Sequence, residues 1–127
     1  MAKSSKYFSE SELKCSHTGR CEMNDAFLAK LDRLRADYGK PLIVTSAYRD
    51  ETHPVEARKA NPGTGPHCTG HAIDLAVSHA DAHRLLWLAM LSRSFTGIGI
   101  QQKGGRRFIH LDDLSNETHS RPTIWSY

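Results

Sequence analysis

The sequence has few cysteines, no long apolar run and little excess charge, and each shortage excludes a class of protein. Three cysteines in 127 residues are too few for the disulfide framework of a small secreted domain. No apolar run approaches the roughly 20 residues of a membrane-spanning helix, so we expect no membrane insertion. A net charge of +3 is far below that of a nucleic-acid-binding stripe, so we expect no nucleic-acid partner.

The first ten residues, MAKSSKYFSE, also lack the apolar stretch of a secretory signal. We therefore expect synthesis in the cytoplasm, with delivery by other means to any target outside it. Histidine, by contrast, is abundant: eight residues point to imidazole chemistry. The length and the globular composition predict one domain over residues 1–127, expected to be a monomer.

The three cysteines leave several roles open. Cys15, His17 and Cys21 are close enough in sequence to bind a second metal, although their spacing matches no standard zinc pattern. A Cys15–Cys21 disulfide is the second alternative. The third is that both of these residues and Cys68 are plain thiols.

Helical and strand signals occupy separate stretches, which predicts an α+β fold: a small antiparallel sheet with helices packed on one side. The 97–101 and 107–111 segments flank a Gly-Gly turn and predict a hairpin. The aromatic tail, RPTIWSY, is expected to pack back on the body. The other predicted segments are helices opened by Ser9 and Asn24, a strand at 42–48, a helical turn within 52–60, an irregular loop at 61–66, a strand at 72–77 and a helix after Ser78 with Ala82, Leu85, Leu86, Ala89 and Met90 on one face.

Alternation along residues 72–77 separates a core face from a polar one. Ile73, Leu75 and Val77 share the first face, because successive strand side chains point to opposite sides. Asp74 lies between two alanines on the second face, which leaves room for a large neighbour. A salt-bridged aspartate on a solvent face is the alternative, but solvent faces are seldom built from alanine.

The same alternation in RFIHLDD places Phe108, His110 and Asp112 opposite the core residues of that strand. His67 precedes Asp74 by seven residues, enough chain to bring its ring back beside the carboxylate. Two imidazoles and one carboxylate suit a catalytic zinc with an open fourth position. A histidine that is merely hydrogen-bonded in the core is the alternative for either ring.

The stretch from His67 to Asp74, HCTGHAID, matches HxxGxAxD. It resembles the signature of the zinc D-Ala-D-Ala carboxypeptidases and L-alanyl-D-glutamate peptidases, a group that includes lysostaphin and the hedgehog signalling domain. Residues 45–49, TSAYR, resemble the S-G-Y-R element of these enzymes, with alanine for glycine. Residues 108–112, FIHLD, resemble their F-V-H-L-D segment, and the likeness extends over roughly residues 8 to 127.

This resemblance implies Zn²⁺ bound by His67, Asp74 and His110. It also implies that Arg49 steadies a substrate carbonyl or carboxylate, where a fixed cation helps developing negative charge; a salt bridge to Asp50 or Glu51 is the structural alternative. The small size and the RPTIWSY ending resemble phage-encoded, wall-degrading members.

The chain departs from many relatives in one respect. They carry an acid or histidine two or three residues before the last ligand as general base, and here those positions are Phe108 and Arg107. Asp112 could take this role or could instead orient His110. His71, four residues after His67, is a further candidate as ligand or proton shuttle, although the motif leaves its position variable.

The resemblance thus implies a zinc peptidase that hydrolyses peptide bonds of bacterial peptidoglycan, and we expect it to be made in the host cytoplasm and to act on the periplasmic wall after release. The missing upstream base favours a rival: a binding module of the same fold that keeps the metal without turnover. Which bond is cleaved, and whether the enzyme is an endopeptidase or a carboxypeptidase, stays open.

Overall fold

The computed structural model of the protein describes residues 5–58 and 65–127. In these two ranges the chain forms four α-helices, one 3-10 helix and five strands. The helices are α1 (Glu10–Leu13), α2 (Asp25–Tyr38), α3 (Pro54–Ala57), α4 (His79–Ser92) and the 3-10 helix Pro66–Thr69. The strands are β1 (Ile43–Ser46), β2 (Ala72–Ala76), β3 (Gly97–Gln101), β4 (Phe108–Asp112) and β5 (Thr123–Ser126).

Short-range signals account for the ends of the first two helices. The Ser9 side chain accepts a hydrogen bond from the backbone of Glu12, whose side chain in turn accepts from the Ser9 backbone, which confirms the predicted capping box. The Asn24 side chain accepts from the Phe27 N–H and caps α2. Helix α2 ends at Tyr38 and is capped by Gly39, which has a left-handed conformation.

The five strands form one sheet in the order β1-β2-β4-β3-β5. Three of its four pairings are antiparallel, and the β3–β4 hairpin is confirmed. The fourth corrects the expectation of a purely antiparallel sheet, because β5 runs parallel to β3. The ten residues 113–122 give the chain enough length to return to the beginning of β3 before β5 starts, so the tail packs back as a strand. The fold is α+β, as predicted, with a mixed sheet.

The core lies between the sheet and helices α2 and α4. Ile73 and Leu75 on β2, and Ile109 and Leu111 on β4, join the buried side chains of both helices. All four are at most 1% exposed, so the predicted alternation is confirmed. Each contributes about 1.5–3 kcal/mol by its burial, and together they leave the opposite face of β2 and β4 for polar residues.

Four predicted details differ in the structure or lie partly outside it. Met90 is 57% exposed, because the buried stripe of α4 runs through Ala82, Leu85 and Ala89 and leaves Met90 beside it. Pro66, assigned to an irregular loop, begins the 3-10 helix. Residues 59–64, which include the end of the predicted helical turn and most of that loop, lie outside the described residues. Strands β1 and β2 are shorter than their predicted spans.

Within residues 5–58 and 65–127, no helix combines the length and apolar character needed to cross a membrane.

Candidate metal centre

Three of the predicted ligands converge on the polar face of the sheet. Asp74 and His110 are direct cross-strand partners in the middle of β2 and β4, and His67 comes from the 3-10 helix just before β2. The Asp74 Oδ1 atom lies 3.2 Å from His67 Nε2 and 3.0 Å from His110 Nδ1. One ligand atom from each of the three residues lies within 4.8 Å of the other two.

A glycine turn sets the position of His67 relative to the strand. Gly70 ends the 3-10 helix with a φ of +79°, a conformation that other residues rarely adopt. A Cβ atom there would collide with the Glu22 carbonyl oxygen, and the Gly70 carbonyl accepts a hydrogen bond from the Asn24 N–H at 2.9 Å. The glycine of the HxxGxAxD pattern thus turns the chain from His67 into β2.

Hydrogen bonds fix which nitrogen of each imidazole faces the centre. His67 Nδ1 lies 2.8 Å from the Ala47 carbonyl oxygen, which can only accept, so Nδ1 carries the proton and Nε2 is left for a metal. His110 Nε2 lies 2.7 Å from Asp112 Oδ2, so Nε2 donates and Nδ1 is left for a metal. Such partners typically orient metal-binding histidines.

The donor set fits a zinc ion. Two neutral imidazole nitrogens and one carboxylate oxygen are common protein ligands of Zn²⁺, and a three-residue set is typical of catalytic sites. His67, Asp74 and His110 are buried or half-buried, so each donor is held by packing. In the part of the chain that the structure describes, this is the one group of three or more such side chains close enough to hold an ion.

The electrostatics of the three donors are coupled. Burial raises the pKa of Asp74, but hydrogen bonds from His110 and His67 outweigh it and hold the pKa well below its usual range. Burial lowers the pKa of His110, but the Asp112 and Asp74 carboxylates outweigh it and raise the pKa. The centre therefore keeps its carboxylate ionised and attracts positive charge, whether protons or a metal.

Asp112 lies beneath the centre rather than in its cleft. Its side chain has no exposed surface, and Oδ2 bonds both His110 Nε2 and Arg121 Nη2, the latter at 2.8 Å. Oδ1 accepts from Arg121 Nε at 2.9 Å. Burial raises the pKa of Asp112, but these bonds from Arg121 and His110 outweigh it and lower the pKa far below its usual value.

Arg121 is a site residue that sequence reasoning did not identify, whereas Trp125 belongs to the aromatic tail that was expected to pack back on the body. The Trp125 ring packs 5.1 Å from the His110 ring, and the Arg121 guanidinium lies 5.1 Å from the Trp125 ring. A Cβ atom on Gly97 would collide with the Asp112 carboxylate, and one on Gly99 would lie 2.6 Å from Trp125 Nε1. The alternating glycines of GIGIQ were the available signal, because they leave one face of β3 free for bulky neighbours.

The centre opens into a cleft of ≈ 400 Å³. Arg49 lies on its wall, half-buried, and its Nη2 donates to the Ser46 hydroxyl at 3.1 Å. Asp50 pairs with Arg20 instead. No salt bridge joins Arg49 to Asp50 or Glu51, all three of which the structure describes, so that alternative is wrong. The other lining residues are Pro66, His67, Asp74, Phe108, His110, Trp125 and Tyr127.

His71 is not brought to this cleft. It precedes Ala72 on the chain and so points to the opposite side from Asp74. Its Nδ1 lies 2.7 Å from Asp113 Oδ1, and Asp113 also pairs with Lys30 of α2 at 2.7 Å. His71 and Asp113 line a separate cleft, where they tie α2 to the sheet.

The cysteines are thiols in the structure. Cys15 and Cys21 are buried, Cys68 is half-buried, and none forms a disulfide. The Cys15–Cys21 disulfide is therefore absent, and Cys15, His17 and Cys21 form no metal-binding group among the described residues.

Comparison with known protein families identifies the family of this chain. No curated protein matches the chain in a sequence search. A protein-family model described as Peptidase M15 matches residues 6–112, a span that contains all three candidate ligands. Members of this family are metallopeptidases, usually with zinc. The chain therefore belongs to the peptidase M15 family.

Proposed function

We propose that the protein is a zinc peptidase that hydrolyses peptide bonds in the stem or cross-link peptides of bacterial peptidoglycan. The observation that carries this proposal is the convergence of His67, Asp74 and His110 at the base of an open cleft. The outward hydrogen bonds of the two imidazoles leave one nitrogen of each ring beside the Asp74 carboxylate, as a catalytic zinc site requires.

The chain's own residues supply positioning and charge. When bound, zinc would supply Lewis-acid chemistry, polarising a carbonyl and making water more acidic. The Ala47 carbonyl and the Asp112 carboxylate hold the two imidazoles in their orientations. Arg49, free of any carboxylate among the described residues, is available to a substrate carbonyl or carboxylate, where it stabilises developing negative charge.

The aromatic residues form a wall beside the metal ligands. The Phe108 and Tyr127 rings lie 5.0 Å apart, and Trp125 packs on His110. This wall covers one side of the cleft, and Arg49 is another of the residues that line it. A peptide backbone can therefore lie between the aromatic wall and Arg49.

Of the two roles considered for Asp112, its environment supports orientation of His110. Its carboxylate is completely buried, and both oxygens accept hydrogen bonds, so neither is placed to take a proton from the cleft. His71 is also placed away from the cleft, which argues against a shuttle or a ligand at that position.

The biological setting is part of the proposal. We infer a phage-encoded lysis or wall-degrading enzyme, synthesised in the host cytoplasm and acting as a monomer on the periplasmic wall after release, with no nucleic-acid partner. The net charge of +3 suits the anionic polymers of a cell wall.

A metal-containing binding module without turnover is the second candidate. One observation favours it: apart from Asp74, the described residues that line the cleft include no carboxylate to serve as general base. Incubation of the purified chain with peptidoglycan sacculi separates the two. A peptidase releases soluble muropeptides, loses this activity with a chelator and regains it with zinc. Tight zinc binding without release would instead support the binding module, and mass spectrometry of released fragments identifies the bond.

A further inference from the structure

Helix α4 carries large apolar side chains on the side that points away from the core. Its buried residues are Ala82, Leu85 and Ala89. Trp87, Met90 and Leu91 are 60%, 57% and 63% exposed. Met90 and Leu91 follow Trp87 by three and four positions, so the three side chains are neighbours on the helix surface. Apolar residues on both sides are typical of a helix that is covered on both.

The remaining side chains on this side of α4 are neutral or basic. They lie one or two turns before Trp87 and are Ala80, His83 and Arg84. The structure describes every residue of α4, and none of its exposed side chains is a carboxylate. We call this surface the outer face of α4; it consists of Ala80, His83, Arg84, Trp87, Met90 and Leu91.

Charges cancel where the outer face meets the end of α2. The Arg84 guanidinium donates to the backbone carbonyls of Tyr38 and Asp37, which are uncharged acceptors. Two cations, Arg84 and Lys40, thus stand against the carboxylates of Asp37 and Asp81. Lys40 and Asp81 form an ion pair at 2.7 Å. Any excess charge on this surface must therefore come from the two ends of α4.

Four further cations lie at these ends. Arg93 caps the C-terminal end of α4 and is exposed. At the N-terminal end the β3–β4 turn supplies Lys103, Arg106 and Arg107, and Arg107 Nη1 lies 3.4 Å from His79 Nε2. None of the four cations pairs with a carboxylate among residues 5–58 and 65–127. The outer face is therefore an apolar strip between two basic ends.

We propose that the outer face of α4 binds the surface of an anionic lipid bilayer, with its basic ends on the lipid phosphates. Tryptophan is enriched at the boundary between membrane and water, and basic segments are attracted to anionic lipids. Interfacial helices lie in the plane of the bilayer with their apolar side chains about 5–10 Å deep. The 14 residues of α4 form a helix about 21 Å long, which lies on a bilayer without crossing it. This inference goes beyond the proposed peptidase and does not depend on it.

The same charges argue against a second copy of the chain as the occupant. An isologous contact packs one face against the identical face of its partner. The basic ends of the two helices would then meet one another, and the outer face has no carboxylate to offset them. A bilayer rich in anionic lipids supplies the negative charge that a second copy lacks.

Sedimentation of the full chain with lipid vesicles tests the proposal. Vesicles of phosphatidylcholine alone, and vesicles with about one third phosphatidylglycerol, differ in surface charge but share an apolar interior. We expect binding to be about 10-fold or more stronger on the anionic vesicles, and to weaken as the salt concentration rises.

Trp87→Gln should weaken binding to the anionic vesicles about 10-fold, because it removes the apolar side chain at the middle of the outer face. The side chain is exposed, so circular dichroism should show an unchanged fold. Ile43→Gln is the matched control. Ile43 is 64% exposed but lies on the opposite face of the sheet from α4, as the partner of Ala76, so this variant should bind as the unaltered chain does.

Arg93→Gln should weaken the same binding about 5-fold, the usual contribution of one basic residue near an anionic surface. Lys14→Gln removes an equal charge beside the β1 edge of the sheet and should have a smaller effect. Muropeptide release from isolated sacculi should be the same in Trp87→Gln, because α4 and the metal centre lie on opposite faces of the sheet.

Two results would overturn the proposal: no binding to the anionic vesicles, or binding that Trp87→Gln leaves unchanged. Analytical ultracentrifugation identifies the alternative occupant. Dimerisation that Trp87→Gln abolishes, without vesicle binding, would assign the outer face to a second copy of the chain.

Discussion

The Nε2 atom of His110 lies 2.7 Å from the Oδ2 atom of Asp112, a carboxylate with no exposed surface. Arg121 holds the same carboxylate from the other side with two hydrogen bonds. The imidazole is thereby held by the ion pair between Asp112, at the end of β4, and Arg121, just before β5. The geometry of one candidate metal ligand therefore depends on residues that do not line the cleft.

Asp112→Asn should weaken zinc binding by about 10- to 100-fold, because the amide cannot hold the imidazole and Arg121 as the carboxylate does. Competition with a chromogenic chelator measures the affinity. Asp113→Asn is the matched control, since Asp113 pairs with Lys30 and His71 on the other side of the strand. Equal affinities in the two variants would remove Asp112 from this role.

His110→Ala should abolish both zinc retention and muropeptide release, because it removes one of three donors. Metal analysis of the dialysed protein and the sacculus assay provide the readouts. His71→Ala should retain the metal, as its ring bonds Asp113 instead. Loss of the ion from the second variant would show that His71 is a ligand after all.

Gly99→Val should destabilise the fold by about 1–3 kcal/mol, the usual range for overpacking. The added side chain would meet the Trp125 indole, which covers Gly99 closely. Denaturant unfolding of the metal-free protein measures the change. Gly105→Ala is the control, because a Cβ atom there has nothing within 4 Å. An unchanged midpoint for Gly99→Val would contradict the packing of β5 on β3.

Acid should destabilise the metal-free protein partly through Asp50. Hydrogen bonds from the Thr52 N–H and hydroxyl lower the pKa of Asp50, against the effect of burial, and Arg20 lowers it further. A lowered folded-state pKa stabilises the protein above the unfolded value of about 3.9, and this stability is lost as the pH falls below it. Thermal unfolding between about pH 3 and 6 should therefore depend less on pH in Asp50→Asn. Glu117→Gln, at an exposed carboxylate, should retain the full dependence.

Alternation along single strands predicted which side chains share the polar face of the sheet. Two-residue periodicity placed Asp74 and His110 on a face opposite the core, and the structure makes them cross-strand partners. The same rule puts His71 on the other side of β2, so its place within the motif was a weaker guide than the strand alternation. The pairing of Asp74 with His110 was not predictable from either segment alone, because it depends on tertiary contacts.

The positions of Arg121 and Trp125 at the centre could not be predicted, for a different reason. They reach the centre through the parallel pairing of β5 with β3, and a non-local pairing leaves no periodic trace in the segment that makes it. Only Gly97 and Gly99 indicated that bulky side chains cover one face of β3.

The pairing of β2 with β4 also links metal capture to folding. Asp74 and His110 are 36 positions apart in the chain, so their donors meet only once both strands are in register. An ion bound at this point favours the ordered chain by mass action, about 2.7 kcal/mol when free metal is 100 times the dissociation constant. Under the proposed function, a cell or compartment poor in zinc would thus hold a less stable protein as well as an inactive one.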